Sequence, residues 1–415
     1  MDHNQPVGRV SGHPLVLFPD FRKLFAGRVL SAVGDKFFTI ALAWWVITEG
    51  GENSKFYLGL LMAANMAPII LFGPLLGTVA DRVNRKYCLL VADIMRAALV
   101  LLLSLLLYRE KLTLPLVYLL CFGISSLAPL FESATNSVLL TLTSREHLEK
   151  AVAVNSSVLQ MSNVAGAALS GIFIAVVGTI GAFIVNGLSF LASFFLVLAV
   201  KADLRPVIKQ KENYVAQLRE GFYYLKNNRP IFAMLAVFAA SNLFASSMLL
   251  FMPLAVKFIF NQSVTWVAVF EGSLAAGAVL TALMMSFTGS RGSVYHRAFW
   301  GGIVIGLAFI VMAFVHNEFL AAAALFLFGV SMVYSGTAIQ ALFQREIPEA
   351  MKGRFFAIFT TTCYSTIPIT MFLNGLLSQV VDLPVLIGAN GLMVVIITTA
   401  FLLIPRVETA AAPAE

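Results

Sequence analysis

The feature that most constrains this chain is a series of predominantly apolar runs, each about as long as the ~20 residues a helix needs to cross a bilayer core. In lipid every backbone N–H and C=O must be paired inside its own segment, so such runs are helices and not open strands. Composition agrees. The chain of 415 residues is 59% apolar and only 12% charged, with a mean hydropathy of +0.88, where soluble domains carry about 25% charged residues. A water-soluble enzyme or a nucleic-acid-binding module would need far more polar cover. The first 20 residues are polar and contain Pro and Gly without a short apolar core, so no cleaved signal peptide is expected. The first spanning helix then directs insertion.

Twelve runs can be placed, at 22–48, 56–79, 87–108, 114–141, 151–177, 180–200, 231–258, 264–287, 296–315, 319–343, 354–380 and 385–405. An even count puts both termini on one side. Lys and Arg collect in cytoplasmic loops. Twenty-two of them, Arg28 included, fall on the side of the termini and four on the other, with Lys36 and Arg96 inside runs. Both termini are therefore expected in the cytoplasm.

The longest hydrophilic connection, residues 201–230, falls after the sixth run. It divides the chain into a tail (1–20), a first helical half (21–200), a linker, a second half (231–405) and a second tail (406–415). Val215, Leu218, Phe222 and Leu225 recur at helical spacing in the linker, as in an amphipathic helix lying on a membrane surface. The charged elbows "LTSREHLEKAVAVNS" and "FQREIPEAMKGRFFAI" follow the fourth and tenth runs. Such an echo fits a duplicated transporter with its substrate site between the repeats. The fold class expected is an all-α membrane protein with twelve helices in two pseudo-symmetric six-helix bundles.

Between the second and third runs stands "GTVADRVNRK", with Gly77, Asp81, Arg82, Asn84, Arg85 and Lys86. Gly77 permits close helix approach, and Asp81 at a helix end can accept from a helix N-terminus or an Arg. The spacing resembles the G-x-x-x-D-R-x-x-R-K signature of the major facilitator superfamily. Asn84 takes the place of the usual second Gly, and both tolerate left-handed backbone. "SAVGDKFFTIALAWWV", "GPLLGTVADRVNRK", "ADIMRA" and "FQREIPEAMKGR" resemble the branch with macrolide-efflux proteins and siderophore exporters. That resemblance implies drug:proton antiport. It also implies a gating role for the loop, which latches the halves in the outward-open state and is released when a carboxylate protonates. Gly166, Ala167, Ser170 and Gly171 match the antiporter element of the fifth helix without its Pro, and equally form a helix-packing face. In the second half "TGSRGSVYHR" keeps Gly289, Arg291 and Arg297 but no acid.

Ionisable groups inside a membrane cost roughly 2.5–3.5 kcal/mol each on insertion scales and are functional candidates. Here they are Asp35 and Lys36, Asp93 and Arg96, Glu132 and Glu271. Asp93 and Arg96, at i,i+3 on one face, suit an intrahelical or interhelical ion pair supporting the motif loop. Asp35 sits by Gly34 on a small, polar face and reads either as a packing acceptor or as a proton-coupling carboxylate. Glu132 follows Pro129 on a helix made polar by Asn136 and several Ser, and is either a coupling group or a structural hydrogen-bonding one. Glu271 is placed to line an outer vestibule, and Lys36 lacks an evident partner. Trp44 and Tyr364, with Trp45, Phe37, Phe38, Phe131, Tyr334, Met248 and Met252, are available to line a large apolar cavity. Asn242, Gln340 and Asn374 could orient a ligand there.

Cys88, Cys121 and Cys363 fit no metal or redox spacing. The five His (His3, His13, His147, His296, His316) lie at termini or loops, and there is no Gly-rich nucleotide loop. The chain is thus expected to be no enzyme, to need no cofactor or metal beyond a proton gradient, and to bind no nucleic acid. Its partners would be protons, membrane lipid and a neutral or cationic amphipathic molecule. It would act as a monomer in the bacterial inner membrane.

Overall fold

The structure, a computed structural model, describes residues 13–205, 214–288 and 292–405, and among them there is no strand. The outer parts of both tails, the linker residues 206–213, Gly289 and Arg291 lie outside the described residues, as do the side chains of Val215 and Leu218. A single turn, α1 (Pro14–Leu17), leads into α2 (Pro19–Glu49), α3 (Ser54–Arg82), α4 (Arg85–Tyr108), α5 (Leu114–Leu142) and α6 (Leu148–Leu198). After α7 (Tyr214–Asn227) come α8 (Arg229–Ala245), α9 (Met248–Phe258), α10 (Val264–Thr288) and α11 (Val294–Phe314). The chain closes with α12 (Glu318–Glu346), α13 (Glu349–Leu377) and α14 (Leu383–Thr399).

Eleven helical stretches are long and apolar enough to cross a membrane, against the twelve runs expected. The difference lies in α6, where the fifth and sixth runs are two helices that meet without a loop at Gly178, a residue outside helical geometry (φ +72°, ψ 177°). Glycine reaches that backbone freely, having no Cβ to clash. The seventh run is instead split into α8 and α9 at Ser246–Ser247. Both hydroxyls there donate to carbonyls three residues back, of Leu243 and Phe244, a local competition that bends helices.

Helices α2 to α6 pack chiefly on one another, as do α8 to α14, and the two groups meet along α3–α13 and α6–α10. Both meetings depend on missing side chains. A Cβ at Gly59 would lie 2.6 Å from the Gly375 Cα, and one at Gly171 would lie 2.7 Å from the Thr265 Cα. Gly171, from the small-residue element, thus serves packing between the groups. Helix α7 docks on α13 through the Arg354–Glu220 ion pair. It buries Leu225 and leaves Phe222 and Tyr223 exposed.

Several residues expected to line a cavity are buried, namely Phe37, Phe38, Phe131 and Met252. Apolar residues at helical spacing pack into neighbouring helices before they can face a cavity. Met248 is also buried and does line a cavity, in the second half. Cys88 and Cys121 are buried free thiols.

The Gly59–Gly375 crossing is open to test. Gly59→Leu should destabilise the detergent-purified protein by about 1–3 kcal/mol, the usual cost of overpacking. Gly73→Leu, at a position where an added Cβ meets nothing within 4 Å, should change the thermal unfolding midpoint little.

Candidate functional site

One face of α2 carries Arg28, Ser31 and Asp35, spaced i, i+3, i+7 so that they stand in a row. One face of the second part of α6 carries Asn186, Ser189 and Ser193 at the same spacing. The rows can meet because α2 has glycines there. A Cβ at Gly34 would lie 2.5 Å from Ser189 Oγ and 2.7 Å from Asn186 Oδ1, and one at Gly27 would lie 2.9 Å from Ser193 Oγ. Helix α4 adds Asp93 and Arg96, and α5 adds Glu132 one turn after Pro129, which removes a backbone donor from the helix interior.

The result is an ionic cluster among α2, α4, α5 and α6, in which Arg28, Asp93 and Arg96 are buried. Arg96 Nη2 donates to Asp35 Oδ2 at 3.0 Å, and Asn186 Nδ2 donates to Asp35 Oδ1 at 3.3 Å. The Arg96 guanidinium lies 4.1 Å from the centroid of the Phe190 ring, a cation–π contact strengthened by exclusion of water. Arg28 Nη2 donates to Glu132 Oε2 at 2.6 Å.

Accessibility is uneven. The Arg28 side chain is 3% exposed while that of its partner Glu132 is 45% exposed. Asp35 keeps 37% of its side chain accessible although protein atoms surround it densely. Asp93 is fully buried. Ser193 faces its carboxyl, but neither side chain completes a hydrogen bond of ordinary geometry.

Of the two readings open for Arg96, a pair within its helix or between helices, the structure has the second: Arg96 turns across to Asp35 on α2. Arg28 is not a loop cation. It sits nine residues past Pro19, about 13 Å along the helix at 1.5 Å per residue, and is buried. Asn186 and Ser193 were not singled out from sequence, although the i, i+3, i+7 polar row on an apolar helix was the available signal.

Lys36 finds its partner in the other helix group. Its Nζ lies 3.7 Å from Glu271 Oε2 on α10. Gly166 allows this by seating α6 on the Lys36 stem, where a Cβ would lie 2.7 Å from the Lys36 Cβ. Glu271 is therefore paired and does not stand alone in a vestibule. Further contacts between the groups lie nearby, at the end opposite the basic loops. The Gln379 Nε2 donates to Asn53 Oδ1 at 3.0 Å, Phe56 meets Phe372 edge-on at 6.3 Å, and Lys257 stands 5.7 Å from the Trp44 ring centroid.

At the basic end, the motif loop is fastened within its own group. Asn84 caps α4 by accepting from Lys86 N at 3.0 Å. Its φ of −56° is not left-handed, so it replaces the family's Gly as a cap and not as a turn former. Lys86 Nζ donates to the Leu198 and Val200 carbonyls, a cation at a helix C-terminus where the dipole favours it. Arg85 N donates to the Leu204 carbonyl. Asp81 and Arg82 are exposed, and among the described residues neither has a hydrogen bond or ion pair. Gly77 has Ser133 Oγ as its near neighbour.

Of the remaining candidates, Tyr364 is exposed, and so is Asn136, which accepts from Asn155. Tyr334 lies under Arg297. Asn374 is buried and bonded to Asn390, a pin between α13 and α14. Asn242 donates to the Cys363 carbonyl and to Thr366.

A family profile described as "transmembrane secretion effector", within the major facilitator superfamily, matches residues 14–415. The chain belongs to that family. Macrolide efflux protein A of Streptococcus pyogenes is 23% identical over 86% of this chain and 89% of its own length. A putative bacilysin exporter of Bacillus subtilis is 24% identical over 93% and 94%. Among solved structures, a bacterial homologue of the human lysosomal transporter Spinster, inward-facing and occupied, superposes with a TM-score of 0.74 at 12% identity, covering 97% of this chain and 100% of that one. This secretion effector is a membrane transporter and not an enzyme, since its family and relatives are transporters. Eleven apolar helices and bacterial relatives make it a multi-pass protein of the inner membrane.

The Arg28–Glu132 contact generates a double-mutant test. Glu132→Leu alone strands a buried guanidinium and should destabilise more than Arg28→Met and Glu132→Leu together, with Arg28→Met alone as the third variant. The cycle, read by thermal unfolding, should give a coupling of about 0.5–3 kcal/mol.

Proposed function

We propose that this transporter exports a neutral or cationic amphipathic small molecule in exchange for protons, alternating access between two six-helix halves with both termini cytoplasmic. The observation that carries the reading is the ionic cluster. Three carboxyls (Asp35, Asp93, Glu132) face two guanidiniums (Arg28, Arg96). With all five ionised the cluster holds one surplus negative charge, which is costly away from bulk water. One proton balances it. A cationic group on the cargo reaching the accessible Glu132 and Asp35 carboxylates balances it equally, so proton and cargo are alternatives at one place. Mutual exclusion at one site is what antiport requires.

The arrangement of the helices supports a twelve-span reading in which the break at Gly178 separates the fifth and sixth spans. The two meetings between the groups, α3–α13 and α6–α10, exchange with each other when the halves are swapped, as two-fold pseudo-symmetry demands. With Lys36–Glu271 and Gly59–Gly375 closing the far end and Asp81 free at the basic end, the state fits one open to the cytoplasm. The motif residues Gly77, Asp81, Arg82, Arg85 and Lys86 would then engage the second half when the basic end closes. Export as the direction rests on the relatives named for efflux and export. The working unit is a monomer in lipid, with the proton gradient as its energy source.

In proteoliposomes a radiolabelled macrolide should accumulate only with a pH gradient. Asp35→Asn and Glu132→Gln should each lose gradient-driven uptake about tenfold or more, while equal-pH exchange persists. Transport indifferent to the gradient in wild type and variants alike would sink the coupling claim. A second readout is direct: adding cargo to weakly buffered wild-type protein should release protons, and the variants should release fewer.

A further inference from the structure

Helices α8, α11, α12 and α14 surround a cavity of about 420 Å³, with contributions from α9, α10 and α13. It runs from an exposed rim to a buried floor. Met332 and Leu249 are exposed on one side, and Ile305, Val394 and Thr398 are buried on the other. On α12, Gly336 faces open space, where an added Cβ meets nothing within 4 Å.

No lining residue is charged. The polar ones are largely occupied. The Ser335 and Thr398 hydroxyls donate to backbone carbonyls one turn back, and the Asn242 amide donates to Cys363 O and Thr366. Ser241 Oγ is buried without a partner. What remains is a hydrocarbon wall with one free hydroxyl. The first, third, fourth and sixth helices of the other half hold the ionic cluster in the equivalent place. One half thus offers charge and the other offers apolar surface.

We infer that this cavity receives an uncharged apolar arm of the cargo, an alkyl chain or ring system, while the cargo's polar end faces the ionic cluster. The second clause rests on the export reading, whereas the first rests on the cavity alone. A cavity of about 150 Å³ lined by Leu, Ile and Phe is enough to hold benzene, and ligand pockets run to roughly 300–1,000 Å³. The space suits a sizeable apolar group, and an ionised group placed there would find no partner.

The test uses the full chain in phosphatidylcholine nanodiscs at a single pH, with Leu249→Cys, at the exposed rim of the cavity, in a Cys363→Ser background. Maleimide labelling is measured against n-alkyltrimethylammonium ions from hexyl to tetradecyl. The half-protecting free concentration should fall about fourfold per methylene and then level once the cavity is full. Gly336→Leu should bring the levelling to shorter chains and weaken the longest at least tenfold. Met332→Trp, at the rim, gives the same reading should Gly336→Leu fail to fold. Identical chain-length curves in wild type and both variants would overturn the assignment. So would full protection of Leu249→Cys before any probe is added, since a bilayer acyl chain would then be the occupant. No gradient enters the experiment. Should n-alkanols show the same chain dependence while Glu132→Gln leaves the cation's advantage unchanged, the cavity assignment stands and the proposed function fails.

Discussion

Two arginines buried between helices impose the order on which the first half depends. A guanidinium cannot shed its charge, so burying Arg28 and Arg96 obliges the fold to bring carboxylates to them. Glu132 comes from α5 and Asp35 from α2, and the latter needs α6 close enough for Asn186 to bind its other oxygen. Gly27 and Gly34 make that approach possible. Four helices are thereby tied by a requirement stricter than apolar packing, because lipid solvates apolar side chains as well as helix partners do. Hydrocarbon contacts alone would let these helices slide, whereas ion pairs specify their register.

Much of the architecture could be read from the chain because the bilayer simplifies the problem. Apolar run length reports spanning helices almost directly, and the charged loops report their ends. The limits were local. The division between the runs at 151–177 and 180–200 was legible, but not that the two helices meet directly at Gly178 with no loop between them. Asn84 looked like a substitute for a left-handed Gly, yet it caps a helix. Both depend on φ and ψ at one residue, which periodicity does not encode.

The site was half visible for a related reason. Each intramembrane acid could be found by its cost in lipid, but its partner depends on which helices touch. The i,i+3 spacing of Asp93 and Arg96 left open whether the ion pair forms within α4 or between helices. The guanidinium reaches across to Asp35, where it also gains the Phe190 ring. Arg28 was hidden by its closeness to the basic N-terminal segment. Its spacing to Ser31 and Asp35 carried the information, as did the Asn186–Ser189–Ser193 row. Aromatic and Met residues misled in the opposite direction, since interhelical packing claims such side chains first.

Asp35 and Lys36 are adjacent, yet they serve different contacts. Their side chains point about 100° apart around α2. Asp35 turns into its own half, to Arg96 and Asn186, while Lys36 turns across to Glu271 on α10. The same helix segment therefore belongs to the ionic cluster and to the junction that closes the far end. A change of charge at Asp35 alters its attraction to Arg96 and so the seating of α2 against α4 and α6. The Lys36–Glu271 separation of 3.7 Å depends on that seating, since the Lys36 stem rests on Gly166 with no room for a methyl group between them. The ionic cluster and a contact between the two helix groups thus share one turn of α2.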